Sequence, residues 1–242
     1  MSFKVVNNKR LFLSFIFFSI GLIIPLFSVR PNTTFWQSLL DIYTNEWYSM
    51  MMLLSLSMLV INYYEITSNV NVVIRQINLK DYIDKNTKNL IKTIIIFMLI
   101  SLIFTITISL ILSNLKFETI NYFPYNIPFN LYTVFTIVRF MIFMLLFSII
   151  IYYFNWQNIT LANITIGVLS ILLLFDFNIM INGIPMIVTT LFKPVSFESF
   201  NKEVVYSIYH IILLMLILTI SYYTKFNKSQ KDKLKWNIKL KL

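Results

Sequence analysis

Cysteine is absent, which excludes disulfides, thiolate metal sites and a cysteine nucleophile. A single histidine, His210, leaves no histidine cage for a metal. Glycine occurs three times, at Gly21, Gly167 and Gly183. A Walker A loop needs two glycines five apart followed by Lys, and no segment supplies them. The chain therefore cannot itself bind and hydrolyse ATP through a P-loop. Charge is also scarce, at 12% of 242 residues, where a soluble domain carries about 25%. That shortage excludes a water-soluble globular domain. With 58% hydrophobic and 17% aromatic residues, a disordered chain is excluded as well. What remains is an all-α, polytopic membrane protein with one transmembrane domain over residues 1–242. Alanine appears once, at Ala162, while Ile, Asn, Lys, Tyr and Phe abound. This usage matches an AT-rich bacterial genome, so the expected location is a bacterial cell membrane.

A spanning helix needs about 20 mostly apolar residues, and six stretches qualify: 11–29, 47–64, 93–115, 130–154, 160–182 and 204–223. The first is too long for the apolar core of a signal peptide, and Phe27, Ser28 and Val29 lack the small-residue cleavage pattern. Lysine and arginine counts set the orientation. With the N-terminus in the cytoplasm, Lys4, Lys9, Arg10, Arg75, Lys80, Lys85, Lys88 and Lys92 lie inside. So do Lys225, Lys228, Lys231, Lys233, Lys235, Lys239 and Lys241 of the basic tail over 224–242. Only Arg30, Lys116, Lys193 and Lys202 fall outside. The +10 net charge is thus a positive-inside signal, with the tail also suited to anionic headgroups, rather than a nucleic-acid footprint. Trp36, Trp47, Tyr122, Phe123 and Tyr125 sit at span ends and read as an aromatic belt.

Three departures from six plain helices carry functional interest. The stretch 65–92 is the longest polar link. In it Val70, Val73, Ile74 and Ile77 follow the spacing of one helix face, opposite Asn69, Asn71, Arg75, Gln76 and Asn78. The apolar stripe has two burials open to it, the membrane interface or a groove on a partner protein. The segment 183–194 runs through Pro185, an apolar stretch and Pro194. It reads as a re-entrant or interfacial dip, with an ordinary apolar outer loop as the plainer option. Finally, Arg139 and Asp176 lie inside spans, where charges pair or face a cavity. Counted from the short turn near Gln157 they reach similar depth on neighbouring helices, which predicts an ion pair between them; the alternative is that Arg139 snorkels outward alone and Asp176 meets water. His210 is expected to be an interhelical hydrogen-bonding partner. Few small residues are present, so Ser, Thr and Asn are expected to join the helices.

The whole layout resembles the permease subunit of a type-two ATP-binding-cassette exporter. The shared features are six spans, both ends inside, an amphipathic link after span two and an apolar dip before span six. Family members carry a Glu closing span two, a small polar pair, an Arg about ten residues on and a Lys before span three. Glu65, Thr67–Ser68, Arg75 and Lys88 or Lys92 match these. The family's usual Gly in this stretch and Pro near its end are absent. Chains of this size resemble the peptide exporters and the lantibiotic or bacteriocin self-protection transporters. The resemblance implies that Glu65, Val70, Val73, Ile74, Arg75, Ile77 and Lys88 couple the chain to a separate ATP-binding subunit, itself a dimer. It implies a second permease copy or a sister permease, an amphipathic or lipid-like substrate taken from the membrane lipid, and no metal or cofactor.

Other classes stay in view. An integral membrane immunity or sensor protein would bind its target directly and need no ATPase. An intramembrane enzyme would need paired carboxylates, a Ser–His set or several histidines near a span end, and the chain is expected not to be an enzyme. A channel would carry more polarity inside its spans.

Overall fold

A computed structural model describes residues 8–28, 33–68, 79–118, 121–122, 125–174, 180–181, 184–185 and 199–239. Among them are seven helices: α1 (Asn8–Ser28), α2 (Phe35–Tyr43), α3 (Glu46–Thr67), α4 (Leu79–Leu112), α5 (Phe129–Gln157), α6 (Ile159–Leu174) and α7 (Phe200–Lys239). Two small antiparallel hairpins complete the described elements. One pairs β1 (Asn121–Tyr122) with β2 (Ile127–Pro128), and the other pairs β3 (Met180–Ile181) with β4 (Ile184–Pro185). Among the described residues, four helical stretches are long and apolar enough to cross a membrane: Glu46–Thr67, Asp81–Leu112, Phe129–Gln157 and Phe200–Thr224. That is the build of a multi-pass membrane protein.

Helix α5 is the hub. It packs on α2, α3, α4, α6 and α7, and Phe140, Phe143, Met144, Ile151 and Tyr152 are buried along it. By contrast α4 and α7 bury only a minority of their apolar windows. Ile96, Ile103 and Ile111 on α4 and Ile208, Leu216 and Ile220 on α7 lie exposed, as side chains do when the solvent is hydrocarbon rather than water.

Helices α1 and α3 pack closely and antiparallel. Gly21 allows it, since a Cβ there would stand 3.0 Å from the Met51 Cβ. Farther along, Ser14 donates to the Ser55 carbonyl at 2.9 Å and Ser55 donates to the Ser14 carbonyl at 2.8 Å. Serine therefore joins helices here, as the shortage of small residues led one to expect. The contact ends in an ion pair between Arg10 and Glu65.

The ends of the bundle are chemically unequal. At one, Arg10 meets Glu65, Tyr222 donates to Asp84 at 3.1 Å, and Gln157 donates to the Ser221 carbonyl at 3.1 Å. Lys85, Lys88 and Lys92 belong to this lysine-rich end. The opposite end holds α2, the β1–β2 hairpin and the first turns of α5 and α7.

Several predicted boundaries change. Helix α3 continues through Glu65 to Thr67, and α4 begins at Leu79. Much of the predicted link 65–92 is thus helix continuous with its neighbours. Span five was expected to run to Asn182, but Met180 and Ile181 are strand residues. Span six begins four residues early, and the backbone stays helical through most of the predicted tail, to Lys239. Of the predicted dip 183–194, Ile184–Pro185 is strand and the rest lies outside the described residues. Helix α2 was not expected. Nine residues are too few to span, yet Phe35, Leu39, Ile42 and Tyr43 share one buried face. Thr34 caps it by accepting from the Gln37 N–H at 3.4 Å. The Lys116 carbonyl accepts from the Phe35 N–H at 2.8 Å, satisfying a further first-turn donor.

Candidate functional site

Tyr132, Phe135 and Arg139 lie three and four residues apart on α5, so they share one face. Opposite, Glu203, Ser207, His210 and Leu214 form the buried stripe of α7. Helix α7 starts where it does because the Ser199 hydroxyl accepts from the Lys202 N–H at 3.4 Å. That start puts Glu203 in the first turn, where the helix dipole favours a carboxylate.

The two faces meet in a buried ion pair. Arg139 Nη1 donates to Glu203 Oε1 at 2.5 Å, with the side chains 2% and 0% exposed. Arg139 lies about 15 Å into α5 by helical rise. Side chains lean toward the helix N-terminus, which carries its guanidinium to the first turn of α7. The Tyr132 hydroxyl donates to the Glu203 carboxylate, 3.2 Å from each oxygen. The Phe135 ring covers the guanidinium, with Cζ 5.2 Å from the ring centroid. Arg139 Nε and Nη2 have no hydrogen-bond partner among the described residues.

Aromatic rings wall this cluster. Tyr122 of β1 stacks on Tyr132 with centroids 4.1 Å apart and planes 12° apart. Tyr125 and Phe200 both contact Tyr132 as well. The hairpin is held by Asn126 at φ 51°, a left-handed conformation that Asn tolerates, and by Asn121 donating to the Asn126 side chain at 3.1 Å. Tyr122 and Tyr125 therefore pack into one cluster with Tyr132. Burial raises the Tyr122 hydroxyl above its ordinary pKa, and the Glu203 charge pushes the same way.

The lysine-rich end carries a second polar cluster. Tyr82 donates to the Thr67 carbonyl at 2.9 Å, joining the end of α3 to the start of α4. Tyr63 donates to the Asn86 carbonyl at 3.0 Å, and Tyr152 stands 3.4 Å from the Thr67 hydroxyl. The flanks of the 69–78 stretch are thus tied to each other and to the hub helix.

The predicted coupling residues divide accordingly. Glu65 lies in the last turn of α3 and pairs with Arg10, both side chains about a third exposed. Lys88 is exposed on α4. Val70, Val73, Ile74, Arg75 and Ile77 lie outside the described residues, as does Asp176. The partner seen on Arg139 is Glu203, a residue the hydropathy reading left just outside span six. A signal was there to find it. Glu203, Ser207 and His210 recur at four and three residues, three polar groups on one face of an apolar helix. Among the described residues no three His, Asp or Glu side chains gather as metal ligands. A charge-paired carboxylate and guanidinium inside an aromatic wall suit charge-assisted hydrogen bonding. No family model, no curated protein and no solved structure matches this chain.

Proposed function

We propose that this chain is the membrane-spanning permease subunit of an ATP-binding-cassette exporter in a bacterial cytoplasmic membrane. In this reading the chain crosses six times with both termini in the cytoplasm. A separate dimeric ATPase supplies the energy, and a second permease, identical or a sister chain, completes the transmembrane path. The substrate is an amphipathic peptide or lipid-like compound drawn from the bilayer, since the helices offer aliphatic, Phe and Met surface.

The observation that carries the reading is the tied link. The stretch 69–78 leaves α3 and enters α4 at the lysine-rich end, where Tyr82 fastens its flanks at Thr67. A push on such a link is delivered to α3, α4 and, through Tyr152, to the hub helix. Length adds support. At about 1.5 Å per residue α4 is roughly 51 Å long and α7 roughly 60 Å, against a hydrocarbon core of about 30 Å. Both helices are longer than one crossing needs, and Lys85, Lys88 and Lys92 lie exposed near the start of α4.

The test is Ile74→Asp in the full chain. The stripe lies outside the spans, so the helices still insert and pack. A carboxylate placed in a partner groove costs several kcal/mol unless paired. The expected result is a normal membrane level, lost association with a nucleotide-binding subunit and lost export or resistance. Retained association and activity would put the stripe on lipid headgroups and end the coupling assignment. A wild-type chain that recovers no nucleotide-binding subunit from native membranes would favour a protein that binds its target directly.

A further inference from the structure

We propose that the free edge of Arg139 is a binding site for a two-oxygen anion, a phosphate or a carboxylate. In a guanidinium, Nε and Nη2 form the fork that takes two oxygens at once. Glu203 uses Nη1, on the other edge, through one oxygen. The fork is therefore vacant among the described residues, although the side chain is 2% exposed. Two buried donors on a cation, left without acceptors, are costly enough to require a reason.

The surroundings fit an anion. The Glu203 contact and the Phe135 ring fix the guanidinium plane, so the fork is oriented in advance. Arg139 and Glu203 cancel, and an arriving anion would leave the site at one net negative charge. Helices α5 and α7 both begin at this end, and their positive N-terminal dipoles oppose that charge. Tyr132 already donates to Glu203, so the carboxylate does not need the fork for its second oxygen. On the hairpin side the Tyr122 and Tyr125 rings pack on Tyr132 and close the cluster. The oxygens come from a lipid headgroup or from a free anion; the chemistry at the fork is the same. The inference does not depend on export, because binding is read on the isolated chain.

The chain holds four arginines, so its ¹⁵N-arginine spectrum carries four Nε–H signals. Full-length protein in an uncharged detergent would be titrated with lysophosphatidylglycerol, inorganic phosphate and acetate in turn. The Arg139 signal is identified by its absence from Arg139→Lys. Should that variant not fold, the charge-free Arg139→Gln/Glu203→Gln double variant serves. A saturable shift of the Arg139 signal is expected. Lysophosphatidylglycerol bound to Arg139→Lys should be at least about tenfold weaker, because Lys keeps the charge and loses the fork. A shift with the lipid alone identifies a headgroup site, and shifts with phosphate or acetate identify a free-anion site. If none of the three moves the Arg139 signal, or if Arg139→Lys binds the anion that does move it as tightly as wild type, the proposal fails.

Discussion

At the scale of single residues, the Arg139–Glu203 pair holds the largest electrostatic stake. Each group alone in a dry interior is costly, and their attraction repays the cost only while both are present. Glu203→Ala should therefore destabilise the protein by about 3–5 kcal/mol, because it strands a buried guanidinium. The Arg139→Gln/Glu203→Gln double variant should recover most of that loss. Thermal unfolding of the purified chain in detergent would check both. A Glu203→Ala protein as stable as wild type would show that the pair contributes nothing to folding. The sequence offered half of this pair. Arg139 stood out as a cation inside an apolar run, but Glu203 lay beside Lys202 at the edge of one and passed for loop. Hydropathy averages over a window, so it marks where a helix is apolar and not where its first turn begins. The Ser199 cap, which sets that beginning, is a local signal carried by one hydroxyl.

Between elements, stability rests on unusually specific contacts for a chain so poor in small residues. The α1–α3 contact needs Gly21 against Met51 and the reciprocal serine bonds. Gly21→Val should push the helices apart and cost about 1–3 kcal/mol, as overpacking does. Ser55→Ala removes its own bond to the Ser14 carbonyl while leaving Ser14 a backbone acceptor. It should cost less, about 0.6 kcal/mol, the average for such bonds in membrane bundles. Denaturant titration of the two variants would rank them, and a reversed order would mean that the hydrogen bonds, not close approach, hold the contact. Serine as the joining group was legible, since composition left few alternatives. The position of Gly21 opposite Met51 was not, because register between antiparallel helices is a property of both chains' shapes. Helix α2 was missed for a related reason. Its period is plain at Phe35, Leu39, Ile42 and Tyr43, but a nine-residue helix is stable only when packed. Its partners, α4 and α5, lie far along the chain.

For the whole molecule, the unequal ends decide how the chain should sit in a membrane. Charge at the lysine-rich end is concentrated on Lys9, Arg10, Lys85, Lys88 and Lys92, with further lysines along the last part of α7. The opposite end has Lys116 and Lys202 among the described residues. Lysine and arginine in short flanks are retained on the cytoplasmic side, so the lysine-rich end should face the cytoplasm. Three things then belong on one side: the N-terminus, the 69–78 link and the end of α7. Helices α4, of 34 residues, and α7, of 40 residues, are both longer than one crossing of a bilayer needs. Fusions at residue 5, at about residue 80 and at the C-terminus should all report cytoplasm, while one at Lys116 should report the outside. Replacing Lys85, Lys88 and Lys92 with Gln should weaken the preference and give mixed signals at residue 80 before it affects residue 5, since the remaining N-terminal charges still hold the first helix. An external signal from any of the three cytoplasmic positions in the wild-type chain would overturn the six-span topology. It would also place the link where no cytoplasmic ATPase could reach it.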